Sequence, residues 1–418
     1  MIKKTFILFA TIILLFFIFR ENIYKSNNIL IASSMPLTGP MEPWGKAVLE
    51  ATKSYFAYTN ENNLLNEKRV EFLALDDKYE PDLTYENLKN IKSKDVFALF
   101  GLVGTPTIKR VLPEIYDDDI LLFSPFSGAS FLQDERLSSL INFRASYKQE
   151  LEKIIFYLKN KNLNKIAIFY QNDDYGEEGY ISSLEILKKE NLNLVAVGSY
   201  KRNTLAIVHA FNEIKQAKPD AILMIGAHGA NSYFIQKAKK DIDFENTLFC
   251  NISFSDANSI IDDLKATNTD TKNIIFSQVV PNYNDLNLKI VQEYQEIMKK
   301  YSSNSKLGFL SFESFLAAKV LINAIKTSNN NLSKKNFIEA LKKTPKDLLY
   351  EIKIDYKDKK LLNKTYIFEY EQCPILNDDI WFGNVPECWD INKLRWEEFS
   401  KMKPRSVLMK RNFNQFFE

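Results

Sequence analysis

The sequence predicts an α/β protein built from two similar halves, each a mostly parallel sheet flanked by helices, with a cleft between them. Short apolar runs alternate with longer helical stretches along residues 29–124 and again along residues 166–278. Of the 418 residues, 45% are hydrophobic and 26% charged, an ordinary globular composition with room for two or three domains. Polar loops follow the strands, where ligands bind in open α/β sheets.

The elements of the first half follow from the spacing of its apolar residues. Continuous apolar runs predict strands at 29–34, 70–75, 96–101 and 120–124. Apolar residues at steps of three and four predict helices at 44–58, 83–91 and 108–116. This alternation indicates a parallel sheet with helices on both faces.

The second half repeats the alternation, and a helical region follows it. Strands are predicted at 166–170, 194–198, 221–226, 247–252 and 273–278. The helices predicted in this half are 151–158, 180–190, 205–216 and 231–240. Three further helices are predicted at 291–301, 312–325 and 334–341, and two last strands at 350–355 and 365–370.

The amino-terminal segment indicates the compartment. A basic start precedes residues 5–19, which are uncharged, mostly apolar and closed by Arg20. This pattern is typical of a secretory signal and is short for a spanning helix, which needs about 20 apolar residues. Because residues 20–24 make a poor cleavage site, residues 1–27 are interpreted as a signal peptide or an uncleaved signal anchor, and a buried helix remains a third alternative. We expect residues from 28 onward to be periplasmic.

Composition excludes several classes of function. Lys and Arg total 55 against 53 Asp and Glu, with no dense basic run, so we expect no nucleic-acid partner. Two histidines and three cysteines leave little for a zinc site, and we predict no metal and no cofactor. Cys250 lies in an apolar run and is predicted to be a buried, small hydrophobic residue. Cys373 and Cys388 are predicted to form a disulfide, with two unpaired thiols as the alternative.

Three loops of the first half are rich in glycine and hydroxyl groups. They span residues 36–45, 101–107 and 124–130, and their candidate ligand-binding residues are Trp44, Thr105, Thr107, Phe126, Ser127 and Gly128. Backbone N–H groups at helix starts suit a carboxylate or another anion. The alternative for each loop alone is ordinary turn and capping chemistry.

The loops of the second half offer rings, amides and carboxylates. Their candidate ligand-binding residues are Tyr175, His228, Phe254, Asp256 and Gln278. His228 lies where a general base could act, but no nucleophile motif accompanies it, so a structural or ligand-contacting role is favoured. We predict that these loops form one side of a ligand-binding site and carry no catalytic residues.

Five segments carry a resemblance to a known family. They are residues 31–40 (IASSMPLTGP), 143–147 (FRASY), 168–176 (IFYQNDDYG), 218–223 (KPDAIL) and 311–320 (SFESFLAAKV). The chain resembles the Leu/Ile/Val-binding family of ABC-transporter substrate-binding proteins, which have the type I periplasmic-binding-protein fold. The resemblance implies two lobes joined by three crossovers that close on a ligand. It divides the chain into a first lobe (28–144 with part of 283–345), a second lobe (145–282 with part of 345–372) and an extension (373–418).

The resemblance also implies roles for particular residues. Thr105 and Thr107 lie where such proteins hold the ligand carboxylate, and Trp44 and Tyr175 lie where aromatic residues cover the ligand. The residues in the place of the fourth strand's binding loop are Phe126, Ser127 and Gly128. Only Asp256 could meet a ligand ammonium.

Together these features predict a non-enzymatic receptor that delivers an amino-acid-like solute or another small organic acid to an ABC permease. Amides and aromatic compounds are further possible ligands. The alternative is a membrane-tethered sensor that signals to a partner protein. No nucleophile supports a third hypothesis, an amidase-like enzyme.

Overall fold

The computed structural model describes residues 28–370, apart from residues 135, 329–330 and 357–359. The predicted signal segment, the extension 373–418 and the predicted disulfide between Cys373 and Cys388 lie outside the described residues. Within the described part of the chain, two sheets flanked by helices confirm the predicted fold class.

The first sheet is parallel throughout, with the strand order β2-β1-β3-β4-β5. Its strands are β1 (Asn28–Met35), β2 (Arg69–Asp76), β3 (Val96–Phe100), β4 (Leu122–Phe123) and β5 (Leu140–Ile141). The helices between them are α1 (Glu42–Glu61), α2 (Pro81–Lys92) and α3 (Thr105–Asp117). Each crossover places a helix start at the carboxyl end of a strand, so the polar loops gather at one edge of the sheet.

The second sheet has the strand order β11-β10-β9-β8-β6-β7, and only its edge pairing, β10 with β11, is antiparallel. Its strands are β6 (Lys165–Gln171), β7 (Asn193–Tyr200), β8 (Ala221–Ile225), β9 (Leu248–Asn251), β10 (Ile274–Gln278) and β11 (Tyr366–Glu369). The helices of this lobe are α4 (Tyr147–Asn160), α5 (Asp174–Glu190), α6 (Val208–Ala217), α7 (His228–Ala238) and α8 (Ala257–Ala266).

After β10 the chain returns to the first lobe. Helices α9 (Lys289–Tyr301) and α10 (Phe309–Thr327) pack against α1, and α11 (Lys334–Lys342) packs against α10. The hydroxyls of Thr52 on α1 and Ser314 on α10 lie 3.0 Å apart inside this packing. The chain then returns to the second sheet as β11, so between residues 28 and 370 it passes from one lobe to the other three times, after β5, β10 and α11.

The structure differs from several predicted elements and contains others that were not predicted. The predicted strand 350–355 is a turn region, in which Tyr350 has a left-handed φ of 51°. Its alternating residues Ile352 and Ile354 are buried without a partner strand, so the alternation reflected burial alone. The predicted helix 205–216 begins only at Val208, and the predicted helix 180–190 begins earlier, at Asp174. Helix α8 and the two-residue strand β5 were not predicted.

Cys250 on β9 is buried and unpaired, which confirms its prediction as a small core residue. It belongs to a buried apolar cluster that includes Trp44 and Val48 of the first lobe and Tyr175 and Phe254 of the second. This cluster continues from one lobe to the other through the cleft.

Candidate functional site

Two helix starts place one aromatic residue from each lobe in the cleft. Trp44 lies in the first turn of α1, and Tyr175 lies in the first turn of α5. A glycine follows each of them in sequence. A Cβ atom at Gly45 would lie 1.8 Å from the Pro36 carbonyl oxygen, and one at Gly176 would lie 1.8 Å from the Gln171 carbonyl oxygen. Only glycine therefore allows each helix start to pack this closely on the loop before it.

Phe254 lies between these two aromatic residues. Its ring centroid is 4.5 Å from that of Trp44 and 4.7 Å from that of Tyr175. The rings of Tyr147 and Tyr79 lie 6.2 Å and 6.4 Å from it. With Phe126, 5.6 Å from Trp44, these residues form the aromatic cluster: Trp44, Tyr79, Phe126, Tyr147, Tyr175 and Phe254. All six side chains are fully buried.

A hydrogen bond ties the aromatic cluster across the cleft. The indole Nε1 of Trp44 donates to the backbone oxygen of Phe254 at 3.1 Å. Phe254 belongs to the 3-10 turn Ser253–Ser255, directly after β9. One residue of the first lobe therefore both stacks on and hydrogen-bonds to a strand-end turn of the second.

The side-chain hydroxyls of Thr105, Ser127 and Tyr147 lie close together at the edge of the aromatic cluster, and we call these three residues the hydroxyl cluster. Thr105 Oγ1 lies 2.8 Å from Ser127 Oγ and 3.3 Å from the Tyr147 hydroxyl. Burial raises the pKa of Tyr147 to about 12, so this hydroxyl stays protonated and can donate. A Cβ atom at Gly128 would lie 2.6 Å from the backbone nitrogen of Tyr147, so glycine is required for this approach. The hydroxyl cluster thus contains two predicted site residues, Thr105 and Ser127, and a third, Gly128, lies directly against its member Tyr147.

Thr107, which is predicted in the same loop as Thr105, is used differently. Its hydroxyl donates to the backbone oxygens of Val103 and Gly104, at 2.6 Å and 2.8 Å. The side chain is buried in the first turn of α3. Its hydroxyl stabilises the start of this helix, which is the capping alternative for this loop.

His228, Asp256 and Gln278 make no hydrogen bond to the aromatic cluster in the described part of the chain. Asp256 has a left-handed φ of 59° and caps α8, because its carboxylate accepts from the backbone N–H and the hydroxyl of Ser259. Burial raises the pKa of Asp256, and the nearby His228 partly opposes that rise. Gln278 ends β10, and its buried Nε2 has no hydrogen-bond partner among the residues that the structure describes.

A buried charge cluster lies at the first crossover. Its members are Arg144, Glu150 and Glu313. Arg144 Nε lies 3.2 Å from Glu313 Oε1, and its Nη2 donates to the hydroxyl of Ser253. Glu150 accepts from the backbone N–H and hydroxyl of Ser253, both at 2.8 Å, and from the Ser277 hydroxyl at 2.6 Å. Arg144 thus connects α10 of the first lobe with the strand-end turn that carries Phe254.

Polar contacts join the lobes along the rim of the cleft. Glu80 of the first lobe accepts from Arg202 at 2.9 Å and from Asn203 at 2.7 Å. An ion pair between Lys109 and Asp174 also crosses the cleft. A hydrogen bond of 2.8 Å from the backbone N–H of Ser130 to Glu178 does the same.

Sequence reasoning did not select Tyr79, Arg144 or Tyr147 as site residues. Arg144 and Tyr147 lie in the segment 143–147 that carries the resemblance, which is the one signal that could have found them. Tyr79 has a left-handed φ of 62°, and no pattern in the sequence marks it.

Among the described residues, no group of three or more histidine, cysteine or acidic side chains could hold a metal ion. Within the same residues, every helix is too short or too polar to cross a membrane. Residues 1–27, which carry the predicted signal segment, are outside both statements.

Comparison with known proteins decides the family. The sequence profile described as "Periplasmic binding protein" matches residues 28–374. The chain belongs to this family. This match and the solved structures below confirm the resemblance to Leu/Ile/Val-binding proteins. A comparison with proteins of curated function found no match.

Solved structures of periplasmic binding proteins share the two-lobed fold. A possible leucine/isoleucine/valine-binding protein from Rhodopirellula baltica is 27% identical, with a TM-score of 0.76, covering 82% of this chain and 94% of its own. A branched-chain amino acid ABC transporter protein from Thermus thermophilus, with bound valine, is 14% identical, with a TM-score of 0.73 and coverages of 82% and 93%. A solute-binding protein from R. palustris, in complex with benzoate, is 15% identical, with a TM-score of 0.69 and coverages of 82% and 93%. The last two similarities show the fold alone.

Proposed function

We propose that this periplasmic binding protein is an extracytoplasmic receptor that binds one small carboxylate-bearing solute between its lobes and delivers it to an ABC permease. One observation carries the proposal. The hydroxyl cluster and the aromatic cluster are buried together between the lobes, at the carboxyl ends of both sheets. We assign residues 28–144 with part of 283–345 to the first lobe, and residues 145–282 with part of 345–372 to the second.

The side chains of the hydroxyl cluster can donate hydrogen bonds to a carboxylate. Thr105 and Ser127 carry rotatable hydroxyls, and Thr105 begins α3, whose first backbone N–H groups have no partner within the helix. The aromatic cluster then covers the apolar part of the solute. The ligands named for the two distant structures, valine and benzoate, both carry a carboxylate, which supports this choice.

The proposed receptor acts by closing on its ligand, without a chemical step. Trp44 comes from one lobe and Phe254 and Tyr175 from the other, so a ligand held among them stabilises the closed form. A permease recognises this closed form and takes up the solute. The N-terminal signal segment would place the receptor outside the cytoplasmic membrane.

The experiment is a screen of the full chain, purified in mild detergent, against amino acids, small organic acids and aromatic carboxylates. Thermal unfolding reports binding, and X-ray scattering reports compaction. A ligand at about one hundred times its Kd stabilises the protein by about 2.7 kcal/mol. Scattering curves that stay identical with and without every stabilising compound would contradict closure, and the lack of any stabilising carboxylate would contradict the proposed ligand class.

Two threonine variants provide a matched comparison in this screen. Thr105→Val removes a hydroxyl that faces the cleft, so affinity should fall about tenfold or more, the effect of losing a hydrogen bond to a charged group. Thr107→Val removes a hydroxyl that bonds its own helix start, so it should lower stability by about 1 kcal/mol and leave affinity unchanged. Unchanged affinity in both variants would assign both hydroxyls to capping.

A membrane-tethered sensor is the second candidate function. The observation that favours it is the apolar segment 5–19 with its poor cleavage site. Extraction of cell membranes tests it, because a tethered chain stays with the membrane in high salt and a cleaved one is released with the periplasm.

A further inference from the structure

The carboxylates near the cleft already have partners within the protein. Asp173 accepts from the backbone N–H groups of Tyr175 and Gly176, at 3.0 Å and 3.4 Å, and from Gln171 Nε2 at 2.7 Å. Asp256 is occupied in the same way as the cap of α8. Both acids therefore stabilise helix starts and are not free to pair with a ligand.

The buried charge cluster offers no free carboxylate either. Both oxygens of Glu150 accept hydrogen bonds from Ser253 and Ser277. Glu313 Oε1 makes no hydrogen bond within the described residues, but it lies 3.2 Å from Nε of Arg144, so the guanidinium already balances its charge. An unpartnered acceptor beside Ser255, the amide oxygen of Asn231, is neutral and gives a cation no charge to pair with.

Unpartnered donors, by contrast, are present in the same buried region. Among the described residues, the fully buried hydroxyl of Tyr175 has no partner at hydrogen-bonding geometry. In the same part of the chain, Nη1 of Arg144 also lacks a hydrogen-bond partner, and this residue is 2% exposed. A buried hydrogen-bond donor that has no acceptor destabilises the folded protein. A ligand that brings acceptor oxygens to the Tyr175 hydroxyl and to Arg144 Nη1 would therefore be bound favourably.

Phe254 shows what shape the space between Trp44 and Tyr175 accepts. Its ring fills that space at centroid distances of 4.5 Å and 4.7 Å, inclined by 34° and 53° to the two neighbours. A flat apolar group of a ligand can extend such a stack. A buried ammonium there would lose its hydration without gaining a counter-charge.

From the partnered carboxylates, the unpartnered donors and the stacked rings, we propose that the cleft selects carboxylates with a flat or apolar body and without an ammonium group. This inference rests on the proposed function and narrows it to one chemical class, ammonium-free apolar and aromatic monocarboxylates. Free amino acids are then poor ligands, although their carboxylate and apolar side chain could contact the same residues of the cleft.

Matched pairs of compounds test this inference by calorimetry on the full chain. The pairs are 3-phenylpropionate with L-phenylalanine, and 4-methylpentanoate with L-leucine, because the members of each pair differ only by the ammonium group. In at least one pair, the ammonium-free acid should bind tenfold or more tightly than the amino acid. The neutral amide 3-phenylpropionamide should also bind at least tenfold more weakly than its acid.

Variants at Phe254 test whether this side chain causes the preference for the acid over the amino acid. Phe254→Glu places a carboxylate between Trp44 and Tyr175 and should reduce the preference for the acid over the amino acid at least fivefold. Phe254→Leu keeps an apolar wall and should keep the preference. The wild-type comparison stands by itself if the glutamate variant does not fold.

The outcomes separate this inference from the proposed function. Amino acids that bind as tightly as their matched acids, or more tightly, overturn the inference and leave the receptor for carboxylates in place. If no compound of the pairs and no other carboxylate in the screen binds, the proposed function fails and the inference fails with it.

Discussion

Trp44 joins the two halves of the molecule through a single side chain. Its ring stacks on Phe254, and its N–H donates to the Phe254 backbone at 3.1 Å. We predict that Trp44→Phe, which keeps a ring but loses the N–H, weakens ligand binding about fivefold, the effect of about 1 kcal/mol. Trp44→Ala, which also loses a buried ring, should weaken it by about 1–3 kcal/mol more. Calorimetry on both variants measures the difference.

Tryptophan fluorescence provides a second readout for Trp44. The other tryptophans, Trp381, Trp389 and Trp396, belong to the extension 373–418 and remain in the Trp44→Phe variant. Ligand binding should change the fluorescence of the wild type and leave that of Trp44→Phe nearly unchanged. A full change in the variant would show that Trp44 does not contact the ligand.

Glu313 gives the buried charge cluster a pH dependence. Burial raises the pKa of the Glu313 carboxyl to about 7; Arg144 opposes the rise and Glu150 adds to it. An unfolded glutamate has a pKa near 4.3. The folded state therefore binds this proton more tightly, so the stability it contributes is complete below about pH 4 and is lost as the pH rises through about 7.

We predict that Glu313→Gln flattens the fall in stability between pH 5 and pH 7.5. Urea unfolding at several pH values measures the slope. Glu152→Gln, an exposed change on α4, serves as the control and should keep the wild-type slope. Asp77, whose pKa burial raises to about 6, contributes in the same direction in every variant. Equal slopes in wild type and Glu313→Gln would assign the pH dependence to other groups.

At the residue scale, the sequence could show which side chains lie in strand-end loops but not which of them meet. Trp44 and Phe254 were both candidates, yet their contact joins positions 210 residues apart, and no local pattern encodes such a distance. Asp256 looked available in the sequence because its use as the cap of α8 depends on a helix that was not predicted. Arg144 was overlooked because an arginine inside an apolar crossover has no periodicity to mark it.

At the scale of the element, the helix starts of α1 and α5 position the cleft aromatics through their glycines. Replacing glycine by alanine inside a helix normally raises stability by about 1 kcal/mol. We predict that Gly45→Ala and Gly176→Ala instead lower the free energy of unfolding, by more than about 1 kcal/mol each, because the new Cβ would overlap a backbone oxygen. Both should also weaken ligand binding, since the aromatic residue before each glycine moves with the helix. Thermal unfolding and calorimetry measure the two effects.

Gly229→Ala is the matched control for these variants. Gly229 also lies in the first turn of a helix at a strand end, but a Cβ atom there would meet only Leu205, at 3.8 Å. This change should leave stability equal to or above the wild type. If all three alanine variants behave alike, the close approach of α1 and α5 to their loops does not limit stability.

The strand and helix pattern was predicted well where burial and periodicity agree, as in β1, β6 and β8. It failed at 350–355, where alternating side chains pack into the core without a neighbouring strand. It also failed for α8, which has buried Ile260, Ile261 and Leu264 at helical spacing but follows a polar turn that was interpreted only as a loop.

At the scale of the whole molecule, we expect the rim contacts to influence how often the lobes open. Glu80 is bonded to Arg202 and Asn203 across the cleft, and both partners of its ion pair are partly exposed. Such a pair contributes about 0–1 kcal/mol. We predict that Glu80→Gln shifts the opening equilibrium toward the open form by up to about fivefold and weakens ligand binding by the same factor.

Single-molecule fluorescence between one dye on each lobe measures this equilibrium. Glu185→Gln is the control, because Glu185 pairs with Lys148 within the second lobe, at 2.7 Å. The effect of Glu80→Gln should also shrink in high salt, which screens the wild-type ion pair. An unchanged open fraction in Glu80→Gln would show that the rim contacts form only as a result of closure.

The position of β11 has a consequence for how the chain acquires its structure during synthesis. Strand β10 receives its outer neighbour only after α9, α10 and α11 have been made, and α1 waits for α10 over the same interval. Neither lobe can therefore complete its core while most of the polypeptide is still emerging. We therefore expect the chain to reach its native structure late in synthesis, after this last strand has been made. The edge of β10 is unpaired during this interval, so we expect a chain truncated before Tyr366 to expose that edge and to aggregate more readily.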